Sequence, residues 1–310
     1  MFKQLFRAAS GKIFPKNPNG ENLPENELAA LSVGAILAAA RTEYCNSLET
    51  GTVANTKRGL SEWWGVSQQE DAIETLESLK NKRQSQAHKV ALTCVACIPK
   101  RKGVSLAPPL EDYIEALSKA QMPLIDNDIK EEYPHESELV EMHFDTLHKY
   151  SDKKIKDDDM QVLTKLFGNE ETITLCFNIF HTVMDNYENF IDNVVDLRNT
   201  FKTLQRGGFV SAEADFADID TSAWDLGRLV NVARWAYEVN FISKEQAWEY
   251  ILSAYKESAT LYADWDSFGK AYVVGRAVWG GDGMELDNTI ATYNSLLKDE
   301  ESPWKITRLN

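Results

Sequence analysis

From Ser222 to Asn240 the chain reads SAWDLGRLVNVARWAYEVN. At 100° per residue, Trp224, Arg228, Asn231, Trp235 and Glu238 form one narrow stripe of a helix. Leu226, Leu229, Val230, Ala233 and Tyr237 fall on the opposite side, so two faces of this helix need packing partners. Ser222 with Asp225 is the expected capping pair at its start. Ser243 with Gln246 is expected to cap a second helix running to about Tyr262, and Asp264 or Asp266 a third. Gly280-Gly281-Asp282-Gly283 ends the third helix after Trp279. On that third helix Phe268, Tyr272, Gly275, Arg276 and Trp279 share a face, and Gly275 permits close approach of another backbone. Trp248, Ile251, Leu252, Tyr255 and Tyr262 of the second helix supply packing between them.

Helical periodicity continues outward from this unit, and convincing period-two strand runs are absent. Helices are expected over 27–48, from a Ser67/Glu70 capping box to about Lys82, and over 86–98, 110–121, 136–149 and 169–206. The last could be two helices, because Asn186 to Asn193 is polar and weakly periodic. The fold class is therefore all-α and multi-helical, expected as one elongated domain in two lobes. Residues 1–27 form an N-terminal segment, 28–125 a first helical lobe, and 161–310 a second lobe carrying the Trp/Arg phrases. Between them, 126–160 is strongly acidic, with a mobile stretch expected at Asp157-Asp158-Asp159.

The 310 residues include 43% hydrophobic and 26% charged, which is ample for a core. A formal net charge of −15 argues against a general nucleic-acid binder. The longest clean apolar run, Val33 to Ala40, is far too short to span a bilayer. Met1-Phe2-Lys3-Gln4-Leu5-Phe6-Arg7 mixes bases with bulky apolar residues and lacks a secretory h-region; a frayed or packed terminus is expected, a membrane-surface helix being the alternative. Cys45, Cys94, Cys97 and Cys176 are few, which fits a reducing, cytoplasmic setting.

Two phrases concentrate the chemistry. Trp224-Asp225-Leu226-Gly227-Arg228 and Tyr272-Val273-Val274-Gly275-Arg276 each place an arginine after a glycine and within one turn of an aromatic. Arginine stacks on rings and binds carboxylates or phosphates bidentately. Two readings stay open. Arg228 and Arg276 are buried and paired with acids such as Asp225, Glu245, Asp264 or Asp282, fixing helix register. Or they line an anion pocket with Trp224, Trp235 and Tyr272, where Asp225 or Asp264 could act as an acid–base group.

These phrases, with Leu60-Ser61-Glu62-Trp63-Trp64-Gly65-Val66, Ala233-Arg234-Trp235-Ala236-Tyr237 and Ile242-Ser243-Lys244-Glu245-Gln246-Ala247-Trp248, resemble a bacterial family known as domain of unknown function 1266. The likeness runs from about Leu28 to Gly281 and is weakest in the acidic middle. It implies a bacterial origin and one continuous unit; it brings no activity and no cofactor.

Other constellations weigh less. Cys94-Val95-Ala96-Cys97 lacks a second pair, so buried helix cysteines are expected rather than a metal or redox site. Glu138, Glu141, Asp145 and His148 share a helix face but lack a partner motif, so a solvated acidic face is expected. Gly280-Gly281-Asp282-Gly283 follows a helix, which helix termination explains better than a phosphate loop. No nucleophile elbow, Walker loop or dinucleotide fingerprint is present. The expected function is a non-catalytic binding or protein-interaction module, with no cofactor and no metal. The alternative is an enzyme or sensor of unfamiliar type that binds an anionic small molecule through Arg228 and Arg276.

Overall fold

A computed structural model describes residues 14–100, 106–151 and 153–310. Within them all regular secondary structure is helical. The stretch Met1–Arg7 lies outside the described residues.

The helix expected over 27–48 is two short ones, α1 (Glu25–Ser32) and α2 (Ala35–Ala40). Gly34 separates them because a buried amide reaches in: Asn231 Nδ2 donates to the Gly34 carbonyl at 2.9 Å. A Cβ on Gly34 would stand 2.7 Å from that nitrogen. After Ala40 the chain turns at Thr42 (φ 59°) into an irregular loop reaching α3 (Val53–Trp64). α4 (Gln69–Lys80) starts two residues after Ser67, and its cap differs from the expected box. Asp71, not Glu70, takes the Ser67 N–H and hydroxyl, both at 3.0 Å. α5 (Arg83–Cys97) and α6 (Leu110–Ala120) follow as expected.

The acidic stretch is helical: α7 (Asn127–Glu132), α8 (Pro134–Met142) and α9 (Phe144–Ser151). The single helix expected over 136–149 breaks at His143 (φ −118°, ψ 25°), whose ring packs edge-on against Phe167 at 5.4 Å. Asp157-Asp158-Asp159, expected in a mobile stretch, forms the first turn of α10 (Asp157–Phe167), where carboxylates suit the positive end of the helix dipole. α11 (Glu170–Arg206) is one unbroken helix of 37 residues. Its polar middle holds because Val183, Tyr187, Phe190 and Val194 keep a four–three–four spacing; three of the four are buried and Tyr187 is half-buried.

A 3₁₀ turn (Glu213–Asp218) leads to α12 (Ser222–Glu238), α13 (Lys244–Leu261) and α14 (Trp265–Gly280). Two further helices were not legible from the Trp/Arg phrases, α15 (Met284–Lys298) and α16 (Pro303–Ile306). The Gly280–Gly283 turn therefore both ends a helix and precedes one. α15 buries Leu286, Thr289, Tyr293 and Leu296, a spacing of three, four and three.

The chain divides into two compact units, and the boundaries fall within α5 and α11. One unit comprises residues 90–195; its core gathers Val140, Leu147, Leu163, Cys176 and Phe180, with Phe144 packed on Phe180 at 5.1 Å. The other joins the residues up to 89 with residues 196–310. α12 is its centre, packing against α2, α3, α4, α13 and α14. Every residue from Ser222 to Ala236 is buried, so both faces of this helix find cover. Burying about 15 consecutive residues makes α12 the axis on which the remaining charges must be satisfied.

Candidate functional site

The two arginine phrases meet through their glycines. A Cβ on Gly275 would stand 2.5 Å from Trp224 Cβ, and one on Gly227 would stand 2.7 Å from Tyr272 Cε2. Each glycine is thus the socket for the other phrase's aromatic, and the Trp224 and Tyr272 rings meet edge-on at 5.0 Å.

Asp225 does not cap α12. One of its oxygens accepts from the Ser85 N–H at 2.8 Å and the Ser85 hydroxyl at 2.6 Å; the other pairs with Arg228 Nη2. Ser222 instead donates its N–H to Asp220 at 2.8 Å. The reason is burial: an unpaired guanidinium inside α12's surroundings would cost far more than a frayed first turn. Arg228 Nε donates to the Trp224 carbonyl at 3.0 Å, and its guanidinium lies over the rings of Trp224 (4.4 Å) and Trp64 (5.5 Å). Desolvation pulls the Arg228 pKa below the ordinary arginine value, and Asp225 opposes that pull. Behind it His88 is fully buried, and desolvation with the Arg228 charge pushes its pKa down to about 3.

Arg276 is held differently. Its Nη2 donates to Glu285 at 2.8 Å, but that carboxylate side chain is 80% exposed. Its guanidinium lies 5.3 Å from the Trp279 ring, and Trp279 packs on Trp224 at 5.7 Å. Arg276 Nη1, Trp224 Nε1 and His88 Nε2 are buried without a hydrogen-bond partner among the described residues.

Residues outside the expected set complete the system. Glu43, fully buried, accepts from Trp235 Nε1 at 3.1 Å and from Arg41 Nε at 2.6 Å. Arg41 stacks between Trp63 (4.8 Å) and Trp235 (4.6 Å). Arg234 donates Nε to the Ser47 carbonyl at 3.1 Å and Nη2 to those of Tyr44 and Glu49 at 2.5 and 3.3 Å, pinning the loop after α2. Trp64 meets Trp235 edge-on at 6.5 Å. The result is a continuous ladder: Trp63, Arg41, Trp235, Trp64, Arg228, Trp224, Trp279, Arg276. The expected residues Trp224, Asp225, Arg228, Tyr272 and Arg276 come together at one end of it, whereas Trp235 belongs to the other end. Arg228 and Arg276 reach different rings. Arg234 stands inside the opening stretch, and its only sequence signal is a charge on an otherwise apolar part of that helix.

Asp264 caps α14, accepting from the Ser267 N–H at 2.8 Å, and Ser243 accepts from Gln246 N–H at 3.2 Å at the start of α13. Of the C-x-x-C pair, Cys94 is buried and Cys97 exposed. Among the described residues, no group of three or more His, Cys, Asp and Glu side chains is placed to hold a metal. Glu141 is paired with Lys130 at 2.5 Å. No described helix is long and apolar enough to cross a membrane.

An all-α protein organised round interlocked Trp/Arg phrases is the class that this fold and site define. The chain belongs to the family described as protein of unknown function (DUF1266), whose profile matches residues 59–309. No curated protein and no solved structure matches it.

Proposed function

We propose that this chain is a non-catalytic binding protein that grips a basic segment of a protein partner at the Trp279 end of the ladder. The observation that carries this reading is a contrast along the ladder. Arg228 is committed to buried Asp225, whereas Trp279 is 50% exposed and Glu285, on the adjoining Arg276, is 80% exposed. Tryptophan is among the side chains enriched at the energetic centres of protein interfaces. Met284, 67% exposed, adds apolar surface next in the chain, and Asp282, Glu285 and Asp287 supply exposed carboxylates. The net charge of −15 steers a cationic partner toward such a surface.

The test is fluorescence anisotropy with labelled Lys/Leu-rich peptides, their Glu/Leu-rich counterparts and neutral ones, on the full chain. Basic peptides should bind preferentially and salt-sensitively. Trp279→Ala should weaken them about tenfold, roughly 1.4 kcal/mol, with folding retained. Equal binding of acidic peptides, or indifference to Trp279→Ala, defeats the reading, and turnover of a small molecule by the pure protein defeats its non-catalytic part.

A second reading rests on the buried donors Arg276 Nη1 and Trp224 Nε1, which have no partner among the described residues. They suit a phosphate or carboxylate held by Arg276, with Arg228 behind it, in a sensor or an enzyme of unfamiliar type. A saturable rise in melting midpoint with phosphate or dicarboxylates, lost in a folded Arg276→Lys, favours this over the first.

A further inference from the structure

The segment before α1, the loop after α2 and the start of α13 enclose a cleft of about 160 Å³. That is close to the roughly 150 Å³ cavity known to accept a benzene-sized molecule. Its walls include two half-buried rings, Tyr237 of α12 and Trp248 of α13. Its charged lining is Glu21, Glu49 and Lys244. Lys244 Nζ sits 2.8 Å from both oxygens of Glu21, so these two charges cancel. Among the described residues the Glu49 carboxylate accepts only from a neutral amide, Asn17 Nδ2 at 2.7 Å. One carboxylate that shares the cleft with two aromatic rings therefore has no cationic partner among the described residues.

The wall that carries Glu49 is rigidly held. Arg234, 1% exposed, donates to the carbonyls of Tyr44, Ser47 and Glu49. Asn17 Nδ2 also reaches the Ser47 hydroxyl at 3.3 Å. One residue further on, Thr50 donates its N–H to Glu238 at 2.8 Å and its hydroxyl at 2.5 Å. Arg234 and Glu238 of α12 thus fix the backbone of a surface site, which is how a recognition group is kept in place without loss of order on binding.

We propose that this cleft binds a compact organic cation, a primary amine or guanidinium compound. Glu49 takes the charge, and the faces of Trp248 and Tyr237 take the cationic head or its alkyl stem. A ring and a carboxylate together prefer such a ligand to a neutral polyol, because each interaction depends on the positive charge. This site is separate from Trp279, and either can fail without the other.

The experiment is isothermal titration of the full chain with agmatine and putrescine, against 1,4-butanediol as neutral isostere and glutarate as anion. Saturable binding of at least one cation is expected, with neither control binding. Glu49→Gln should weaken that binding about tenfold or more, with an unchanged melting midpoint, and Trp248→Ala should act likewise. Glu49 is exposed, so its variant tests the proposal even where Trp248→Ala fails to fold. Trp279→Ala should leave cation binding intact. Absence of cation binding at millimolar ligand, equal binding of butanediol, or full affinity in Glu49→Gln overturns the proposal.

Discussion

Trp224 Cβ stands 2.5 Å from the point at which a side chain on Gly275 would begin. Because Cβ is fixed to the backbone of α12, it has no rotamer by which to move aside. Alanine in place of a helical glycine ordinarily gains about 0.8–1 kcal/mol of propensity. Forcing a methyl into a filled core costs about 1–3 kcal/mol, more where the neighbour cannot rotate. Gly275→Ala should therefore lose about 1–2 kcal/mol net, read as a lower urea midpoint with unchanged slope. An unchanged or higher midpoint would mean that α12 and α14 slide apart at little cost.

Asp225 and Arg228 make a second prediction, with a sign that reverses between variants. Removing one partner leaves a buried charge unpaired, and such losses run to about 3–5 kcal/mol. Asp225→Ala should fall in that range and also leave the Ser85 N–H without its acceptor, while the hydroxyl keeps the Thr221 carbonyl at 2.9 Å. Replacing both, Asp225→Leu with Arg228→Met, should recover a large part, because no charge is then left inside. Denaturation of the two singles and the double gives the coupling directly. A double as unstable as the sum of the singles would show that the ladder rings, rather than the ion pair, carry the energy.

The contrast between Ser243 and Ser222 shows what the sequence could reveal. Ser243 and Gln246 cap each other as their spacing indicates, since both sit at an exposed helix start where nothing competes. Ser222 and Asp225 have the same spacing, yet Asp225 is claimed by Arg228 and Ser85, the latter 140 residues away in the chain. Local patterns were readable in most places where the partners were local, which covers the all-α class and the shared face of Tyr272 and Arg276, although Asp71 rather than Glu70 takes Ser67 at the start of α4. The break at Gly34 depends on Asn231, and the order of the loop after α2 depends on Arg234. No periodicity within either segment encodes those contacts. The ladder was half visible for the same reason: Trp224 and Arg228 are four residues apart, whereas Arg41 and Trp63 come from other elements.

Arg234 offers a test of that long-range role. Its planar fork satisfies three loop carbonyls at once, and lysine can direct its ammonium at fewer of them. A buried acceptor left without a donor costs about 1–3 kcal/mol. Arg234→Lys should therefore destabilise by about 2–4 kcal/mol and loosen residues 42–50 first. Limited proteolysis should show new cleavage in that stretch before global unfolding. Cleavage distributed evenly over the chain would assign Arg234 to the core as a whole instead.

His88 sets the last prediction, through its buried ring. Its folded pKa is depressed to about 3, below the ordinary 6.5, mainly because burial disfavours the imidazolium and secondarily because Arg228 lies near. The unfolded chain therefore binds the extra proton between those two values, and stability falls as pH drops through that window. The full contribution is present above about pH 6.5. Each unit below it costs about 1.4 kcal/mol until the folded ring titrates near pH 3. Wild type taken from pH 7 to 4.5 should thus lose roughly 2–3 kcal/mol that a His88→Asn variant does not lose. Asparagine keeps a polar group within reach of Thr221, whose hydroxyl lies 3.4 Å from His88 Nδ1, so the variant can fold. Parallel pH profiles for the two proteins would place the imidazole in contact with solvent and remove it from the ladder's electrostatics.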